Sequence, residues 1–166
     1  MFRENGHAEH LVTIGGTFDT LHVAHKTYIR LAFECADRVL IYVTSDEYVN
    51  GKKSYSARPY AYRVDKLEGF IQELECEKPY HIRCLRSQND LINDFIEKPD
   101  LKENLYMVII SPEYYDLFLD INRMREAKGS KSFLMLVKPR SLNPTNNDIS
   151  SHEVRKILNC PHNEYY

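Results

Sequence analysis

Apolar and polar residues follow two patterns along this chain, short apolar runs and longer stretches with helical spacing. The apolar runs predict five β-strands, at residues 11–16, 38–44, 82–85, 106–110 and 133–137. The helical spacing predicts helices at residues 23–36, 60–74, 91–96, 112–127 and 150–159. Because strands alternate with helices, we predict an α/β fold in which helices cover both faces of a parallel sheet.

The length of 166 residues suits one domain with its own core and is short for two domains. We therefore predict a single domain at residues 11–160, built on a Rossmann-like, doubly wound, five-stranded parallel sheet. Residues 1–10 are polar and aperiodic, so they are expected to form a flexible lead-in. Residues 45–59 predict a long polar loop, and residues 99–104 predict a polar connector.

Composition and charge narrow the classes of partner. The formal net charge of −2 gives no argument for nucleic acid or an anionic membrane surface as a partner. No apolar run approaches the ~20 residues that span a bilayer, and the N-terminus lacks the apolar core of a signal peptide. The four cysteines form no C-x-x-C pair and are typical of reduced cysteines. We expect a soluble cytoplasmic protein, and the sequence leaves its oligomeric state open.

The segment GGTFDTLHVAH joins the first predicted strand to the first predicted helix. Gly15 and Gly16 lack a Cβ atom, so the chain can turn sharply and its backbone can approach a ligand closely. A helix that begins near Val23 presents unpaired N–H groups and a partial positive charge, which together attract anions. His22 and His25 lie three residues apart, so they share one face and can both donate to the same phosphate.

Other interpretations of these histidines stay open on the residues alone. His22 and His25 can be ordinary polar residues at a helix start, or two ligands of a zinc ion whose third ligand is not evident. His7 and His10 form a second H-x-x-H pair, which is a weak two-ligand site in the lead-in. The P-loop and dinucleotide-binding signatures are absent from the sequence.

The segment ISSHEVRK near the C-terminus is a second candidate anion site. Ser150 or Ser151 can cap the last predicted helix, whose free N–H groups then hold an anion, and Arg155 adds a positive charge one turn later. An ordinary capped helix explains the same residues equally well. The two segments together predict two helix N-termini at one crevice, which suits a triphosphate.

Both segments resemble the signatures of one family. GGTFDTLHVAH is similar to the His-x-Gly-His signature of the nucleotidyltransferase superfamily, and ISSHEVRK to its second signature, Ile-Ser-Ser-Thr-x-x-Arg. The stretch SPEYYDLFLDINRMREAKG resembles the Ile-Asn-x-x-Arg helix of phosphopantetheine adenylyltransferases of the archaeal and eukaryotic type. Two positions depart from the pattern, since Ala24 replaces a glycine and His152 replaces a threonine.

The resemblance implies adenylyl transfer from ATP to 4′-phosphopantetheine, a small phosphorylated acceptor, with Mg²⁺ bound mainly by ATP oxygens. It implies an ATP site formed by Gly16, Thr17, Phe18, His22, His25, Ser150, Ser151 and Arg155. The best candidates to bind the acceptor phosphate are Thr17 and either Lys52 or Lys53 of the long polar loop, although a solvated basic loop explains each lysine equally well. The catalytic residues that the resemblance implies are His22, His25, Lys53 and Arg123, the last of which would neutralise the departing pyrophosphate.

Two alternatives to this function stay open. The chain can be another member of the superfamily, either a cytidylyltransferase or an adenylyltransferase acting on FMN or nicotinamide mononucleotide. It can also be a relative that binds nucleotide without turnover, because Ala24 and His152 change both signatures.

Overall fold

The computed structural model describes residues 9–51 and 57–138 of the chain. The described part contains five strands, β1 (Leu11–Gly16), β2 (Arg38–Thr44), β3 (Tyr80–Leu85), β4 (Leu105–Ile110) and β5 (Leu134–Val137). Its helices are α1 (Val23–Cys35), α2 (Asp46–Asn50), α3 (Tyr60–Glu73), α4 (Gln88–Glu97), α5 (Pro99–Asn104) and α6 (Tyr115–Ala127). A single 3₁₀ turn, Pro112–Tyr114, leads into α6.

The five strands form one parallel sheet in the order β3-β2-β1-β4-β5. The chain runs outward from β1 to β3, then returns to place β4 on the other side of β1. The strand order therefore reverses between β1 and β4, and in open parallel sheets ligands bind at the carboxyl ends of strands at such a point. This topology confirms the predicted doubly wound sheet.

Helices cover both faces of the sheet and enclose two apolar clusters. On one face, α1 and α3 pack on β1 and β2 through buried side chains that include Ile29 and Leu67. On the other face, α4, α5 and α6 surround a cluster in which the rings of Phe95, Phe118 and Phe133 meet edge to face. Each fully buried side chain of this size contributes roughly 1.5–3 kcal/mol to stability. None of the helices in the described ranges is long and apolar enough to cross a membrane.

The predicted elements agree with the structure with two exceptions. Residues 99–104, predicted as a connector, form α5, because Pro99 occupies the first helical turn and Leu101 is buried beneath it. The predicted loop at 45–59 contains α2, whose first turn is capped by the Ser45 hydroxyl, which accepts a hydrogen bond from the N–H of Tyr48. The helix predicted at 150–159 lies outside the described residues.

The last two residues of the predicted lead-in contact the folded part of the chain. The His10 N–H donates to the carboxylate of Asp37, and the His10 ring stacks on Tyr106 with their centroids 4.0 Å apart. The guanidinium of Arg38 donates to both carboxylate oxygens of Glu9. His7, with which His10 forms the second H-x-x-H pair, lies outside the described residues. The boundary of the domain at residue 11 stays a prediction.

Candidate active site

The first turn of α1 lies at the carboxyl end of β1, beside the point where the strand order reverses. His22 is the N-cap residue of α1, and its side chain makes no capping hydrogen bond. The His22 side chain therefore satisfies none of the first N–H groups of the helix, which together carry about half a positive charge. A helix start of this kind can attract an anion, and the anion site itself stays a prediction.

The two histidines of the signature lie side by side at this helix start. Their ring centroids are 3.9 Å apart, with an angle of 33° between the ring planes. The Nδ1 atom of His25 lies 2.9 Å from the carbonyl oxygen of Thr20, and since that oxygen only accepts, Nδ1 carries the proton. Partial burial of the ring and the charge of Lys138 hold the pKa of His22 below its usual value.

The rings of Phe18 and Tyr28 pack against the His25 ring and form an aromatic wall beside the histidines. The Phe18 ring is buried, and its centroid lies 5.6 Å from that of His25 and 6.1 Å from that of Tyr28. Phe18 has a φ of 53°, a left-handed conformation that is uncommon for a bulky side chain. Gly16 leaves room for this wall, because a Cβ atom there would approach the Tyr28 hydroxyl to 3.2 Å and the Phe18 ring to 3.3 Å. A side chain at position 16 would therefore require the two rings to shift by a few tenths of an ångström.

We expect Gly16→Ala to disturb this wall and the predicted nucleotide site beside it. The added methyl group overpacks two buried rings, which typically costs about 1–3 kcal/mol of unfolding free energy. A shift of the turn by a fraction of an ångström should lower kcat/KM for ATP by about 10- to 100-fold. Gly69→Ala is the matched control, because Gly69 lies within α3 and a Cβ atom there would meet nothing within 4 Å.

Urea unfolding and steady-state kinetics of both variants test this expectation. Gly69→Ala should gain about 0.5–1 kcal/mol from improved helix propensity and keep normal kinetics. Normal stability and kinetics in Gly16→Ala would contradict the proposed packing constraint.

Thr17 is held in place from two sides. Its hydroxyl accepts a hydrogen bond from the hydroxyl of Thr44, with an Oγ1–Oγ1 distance of 3.3 Å, so the ends of β1 and β2 are joined. Its carbonyl oxygen accepts a hydrogen bond of 2.8 Å from the buried guanidinium of Arg63. Arg63 also donates to the Arg58 carbonyl oxygen at 2.7 Å and to the Asp46 carboxylate at 2.8 Å. One side chain thus connects three segments around Thr17.

Arg58 fastens the loop between Thr17 and His22. Its guanidinium donates to the Thr20 hydroxyl at 2.8 Å and to the carbonyl oxygen of Asp19. Its backbone N–H and its guanidinium both donate to the Asp19 carboxylate, which holds the pKa of Asp19 below its usual value. The loop that carries the signature is therefore fixed by Arg58, which follows it by 38 or 39 positions in the chain, and not by its own contacts alone.

Several predicted site residues lie outside the described part of the chain. These are Lys52, Lys53, Ser150, Ser151 and Arg155, together with the variant position His152. The described residues do bring together the predicted Gly16, Thr17, Phe18, His22 and His25 at the end of β1 and the start of α1. Ala24, the other variant position, lies in the first turn of α1 and is half-buried.

The assignment of the motif arginine to Arg123 requires a correction. The spacing Ile-Asn-x-x-Arg is met by Ile121, Asn122 and Arg125, so Arg125 is the matching residue. Arg125 is buried and donates to four backbone carbonyl oxygens, those of Phe95, Leu101, Lys102 and Lys131. The exposed Arg123 pairs with Asp120 and lies about 12 Å along α6 from its start, at 1.5 Å per residue. A catalytic role for Arg123 stays a prediction that this position does not favour.

Sequence reasoning missed Thr44, Arg58, Arg63 and Lys138 as residues of the site. Each is separated by many positions from the segment that it contacts, so local patterns do not reveal the contact. Lys138 offered one signal, because it directly follows the predicted strand at 133–137 and so lies at the same sheet edge as His22. No group of three or more His, Cys, Asp or Glu side chains in the described ranges is arranged to hold a metal ion.

Known proteins resemble this chain over most of its length. The profile of the family described as cytidylyltransferase-like matches residues 13–157. The phosphopantetheine adenylyltransferase of Thermococcus kodakarensis is 36% identical over 152 residues, which cover 90% of this chain and 87% of the relative. The phosphopantetheine adenylyltransferase of Methanopyrus kandleri is 30% identical over 144 residues, which cover 87% of each chain. A solved protein of unknown function from Archaeoglobus fulgidus shares the fold, with a TM-score of 0.64 and 24% identity over 81% of this chain and 93% of that one.

Proposed function

The chain belongs to the cytidylyltransferase-like family, and on that premise we propose that it transfers the adenylyl group of ATP to 4′-phosphopantetheine. The products are dephospho-coenzyme A and pyrophosphate. The similarity to the archaeal phosphopantetheine adenylyltransferases supports the choice of substrates. The observation that carries the proposal is the pair His22 and His25 at the uncapped start of α1, beside the reversal of the strand order.

The reaction is a substitution at the α-phosphorus of ATP. An oxygen of the 4′-phosphopantetheine phosphate attacks this phosphorus, the bond to the β-phosphate breaks, and pyrophosphate leaves with the bonding electrons. A phosphate monoester is already anionic near neutral pH, so no strong general base is needed. The chain therefore contributes by holding both reactants in line and by stabilising the negative charge that develops on the phosphates.

The described residues have distinct roles in this proposal. Thr17, which is fixed by Arg63 and Thr44, contacts both the α-phosphate and the acceptor phosphate in this proposal. His22, His25 and the first N–H groups of α1 bind the nucleotide phosphates. The backbone at Gly16 and the ring of Phe18 form the floor of the nucleotide site.

The remaining predicted roles fall on residues outside the described ranges. Lys52 and Lys53 bind the acceptor phosphate in this proposal, with Lys53 also stabilising the reacting group. Ser150, Ser151 and Arg155 bind the β- and γ-phosphates. The resemblance of both signatures to those of the superfamily supports these assignments.

Mg²⁺ enters this scheme together with ATP. It prefers phosphate oxygens and water, and it commonly takes few protein ligands in enzymes that bind nucleoside triphosphates. The Asp19 carboxylate, which is the acidic group of the signature segment, is already bound by Arg58. The side chains in the described ranges thus suit a Mg²⁺ ion that is bound mainly by ATP oxygens.

A location in the cytoplasm stays a prediction.

Pyrophosphate release tests the proposed function. ATP and CTP are each combined with 4′-phosphopantetheine, FMN, nicotinamide mononucleotide and glycerol 3-phosphate in the presence of Mg²⁺. We expect release only from the pair ATP and 4′-phosphopantetheine, with dephospho-coenzyme A identified by mass spectrometry. Pyrophosphate release from another pair would show that the acceptor or the nucleotide differs from the one proposed. Binding of ATP without release from any pair would favour a non-catalytic relative.

A further inference from the structure

Lys138 is the first residue after β5 and lies at the same edge of the sheet as the signature histidines. Its backbone N–H donates to the carbonyl oxygen of Ile110, the last residue of β4, at 2.8 Å. The base of the Lys138 side chain is therefore fixed beside the point where the strand order reverses. No part of the two sequence signatures includes this residue.

The Lys138 side chain reaches across this edge toward α1. Its Nζ atom lies 3.9 Å from the centroid of the Tyr28 ring, which is a favourable position for a cation over an aromatic face. The centroid of the Tyr28 ring in turn lies 5.8 Å from that of the His25 ring, and the positive charge of Lys138 contributes to the lowered pKa of His22. Lys138 and the two histidines thus border the same space.

The polar groups on this wall are incompletely satisfied within the described ranges. The Tyr28 hydroxyl is buried and has no hydrogen-bond partner there. The ammonium of Lys138 makes no ion pair within the described ranges, and the carboxylate whose charge acts on it there is that of Glu113. Burial lowers the pKa of Lys138 to about 8, as expected for a cation that has lost water without gaining a counter-charge.

We propose that Lys138 is a further phosphate-binding residue, which holds the nucleotide phosphates together with His22 and His25. A phosphate oxygen beside His22 supplies the counter-charge that the ammonium lacks, and a charge-assisted hydrogen bond results. The choice of nucleotide phosphates over the acceptor phosphate rests on the proposed function, in which the histidines bind ATP. Binding experiments with pyrophosphate and with 4′-phosphopantetheine separate the two sources of phosphate.

Calorimetric binding to Lys138→Gln, Lys138→Arg and Lys128→Gln tests this assignment. Loss of a charged hydrogen-bond donor should raise the Kd for Mg-ATP and for pyrophosphate by about 10- to 100-fold in Lys138→Gln. The Kd for 4′-phosphopantetheine should stay unchanged, and Lys138→Arg should retain most of the affinity. Lys128→Gln makes the same chemical change at the far end of α6, where Lys128 pairs with Glu97, and should bind like the wild type.

The pH dependence of the Mg-ATP affinity gives a second readout that a structural role would not change. Wild-type affinity should fall by up to tenfold per pH unit above about pH 8, as free Lys138 loses its proton. The other groups that face Lys138 are His22, His25, Tyr28 and Glu113. The lowered pKa of His22 and the raised pKa of Tyr28 place both titrations outside this range. Lys138→Arg should abolish the fall, because arginine stays charged.

Unchanged Mg-ATP affinity in Lys138→Gln would overturn the proposal, since the lysine charge would then be balanced by protein. If Lys138→Gln fails to fold, the comparison of the wild type with Lys138→Arg tests the proposal instead. Identical pH profiles of Mg-ATP affinity in these two proteins would also overturn it. The titrations with Mg-ATP and pyrophosphate need no acceptor, and none of the binding measurements needs turnover. Failure of adenylyl transfer in the wild type, with the Lys138 effects intact, would therefore contradict the proposed function and leave this inference standing.

Discussion

We expect His25→Ala to lower kcat by about 10²- to 10³-fold while the Kd for ATP changes only a few-fold, as for loss of one preorganised donor that stabilises developing charge. His25 lies in the first turn of α1, where its ring is held by the Thr20 carbonyl oxygen, by the His22 ring and by the aromatic wall of Phe18 and Tyr28. The ring therefore has little freedom to reorient when the transition state forms.

The hydrogen bond to Thr20 also determines what His25 can offer to a phosphate. Because Nδ1 donates to the carbonyl oxygen, only Nε2 is left for the substrate. A neutral ring would present a lone pair to a phosphate oxygen, which is repulsive, whereas the imidazolium presents a second donor. A hydrogen bond from His25 Nε2 to a phosphate oxygen therefore requires the imidazolium form.

Steady-state kinetics and calorimetry check the expected split between kcat and Kd. His81→Ala is the matched control, since His81 is an exposed residue of β3 outside the candidate site, and it should retain wild-type kinetics. Turnover of His25→Ala within a few-fold of the wild-type rate would remove His25 from the mechanism.

The periodicity of the sequence was sufficient to predict the sheet and its class. Strands β2 and β4 are continuous apolar runs, because helices cover both of their faces, and such runs are evident without any tertiary information. The segment from Gly15 to His25 was equally informative, because its paired glycines, its histidine spacing and its helix start are local in sequence. By contrast, α5 has only six residues, and packing decides its conformation more than its own propensity.

The contacts that hold the site in place could not be predicted from local sequence. Arg63 meets Thr17 across 46 positions of the chain, and Arg58 meets Asp19 across 39. Arginine is also among the residue types that are almost never fully buried, so a pattern-based analysis places Arg63 and Arg125 on the surface. In the structure both are buried and bonded to backbone carbonyl oxygens, which no hydrophobic periodicity indicates.

The two buried arginines allow stability and catalysis to be separated, because only one of them reaches the site. Arg63 binds the carbonyl oxygens of Thr17 and Arg58, whereas Arg125 binds carbonyl oxygens around α5 and the far end of α6. The carboxylate that pairs with Arg63, that of Asp46, is 43% exposed, so solvent screens this ion pair. The hydrogen bonds to the carbonyl oxygens therefore account for most of the stabilisation by Arg63.

Arg63→Lys and Arg125→Lys should each lower the free energy of unfolding by about 2–4 kcal/mol, because one ammonium cannot reach every carbonyl oxygen that the guanidinium satisfies. In the folded protein, Arg63→Lys should also lower kcat by about 10- to 100-fold, since Thr17 loses its support. Arg125→Lys should keep the wild-type kcat at temperatures below its unfolding midpoint. Equal kcat values in the two variants would show that Arg63 stabilises the fold without positioning Thr17, whatever the loss of stability. A fall in kcat confined to Arg63→Lys, at similar loss of stability, is the result that follows from the contacts of Thr17.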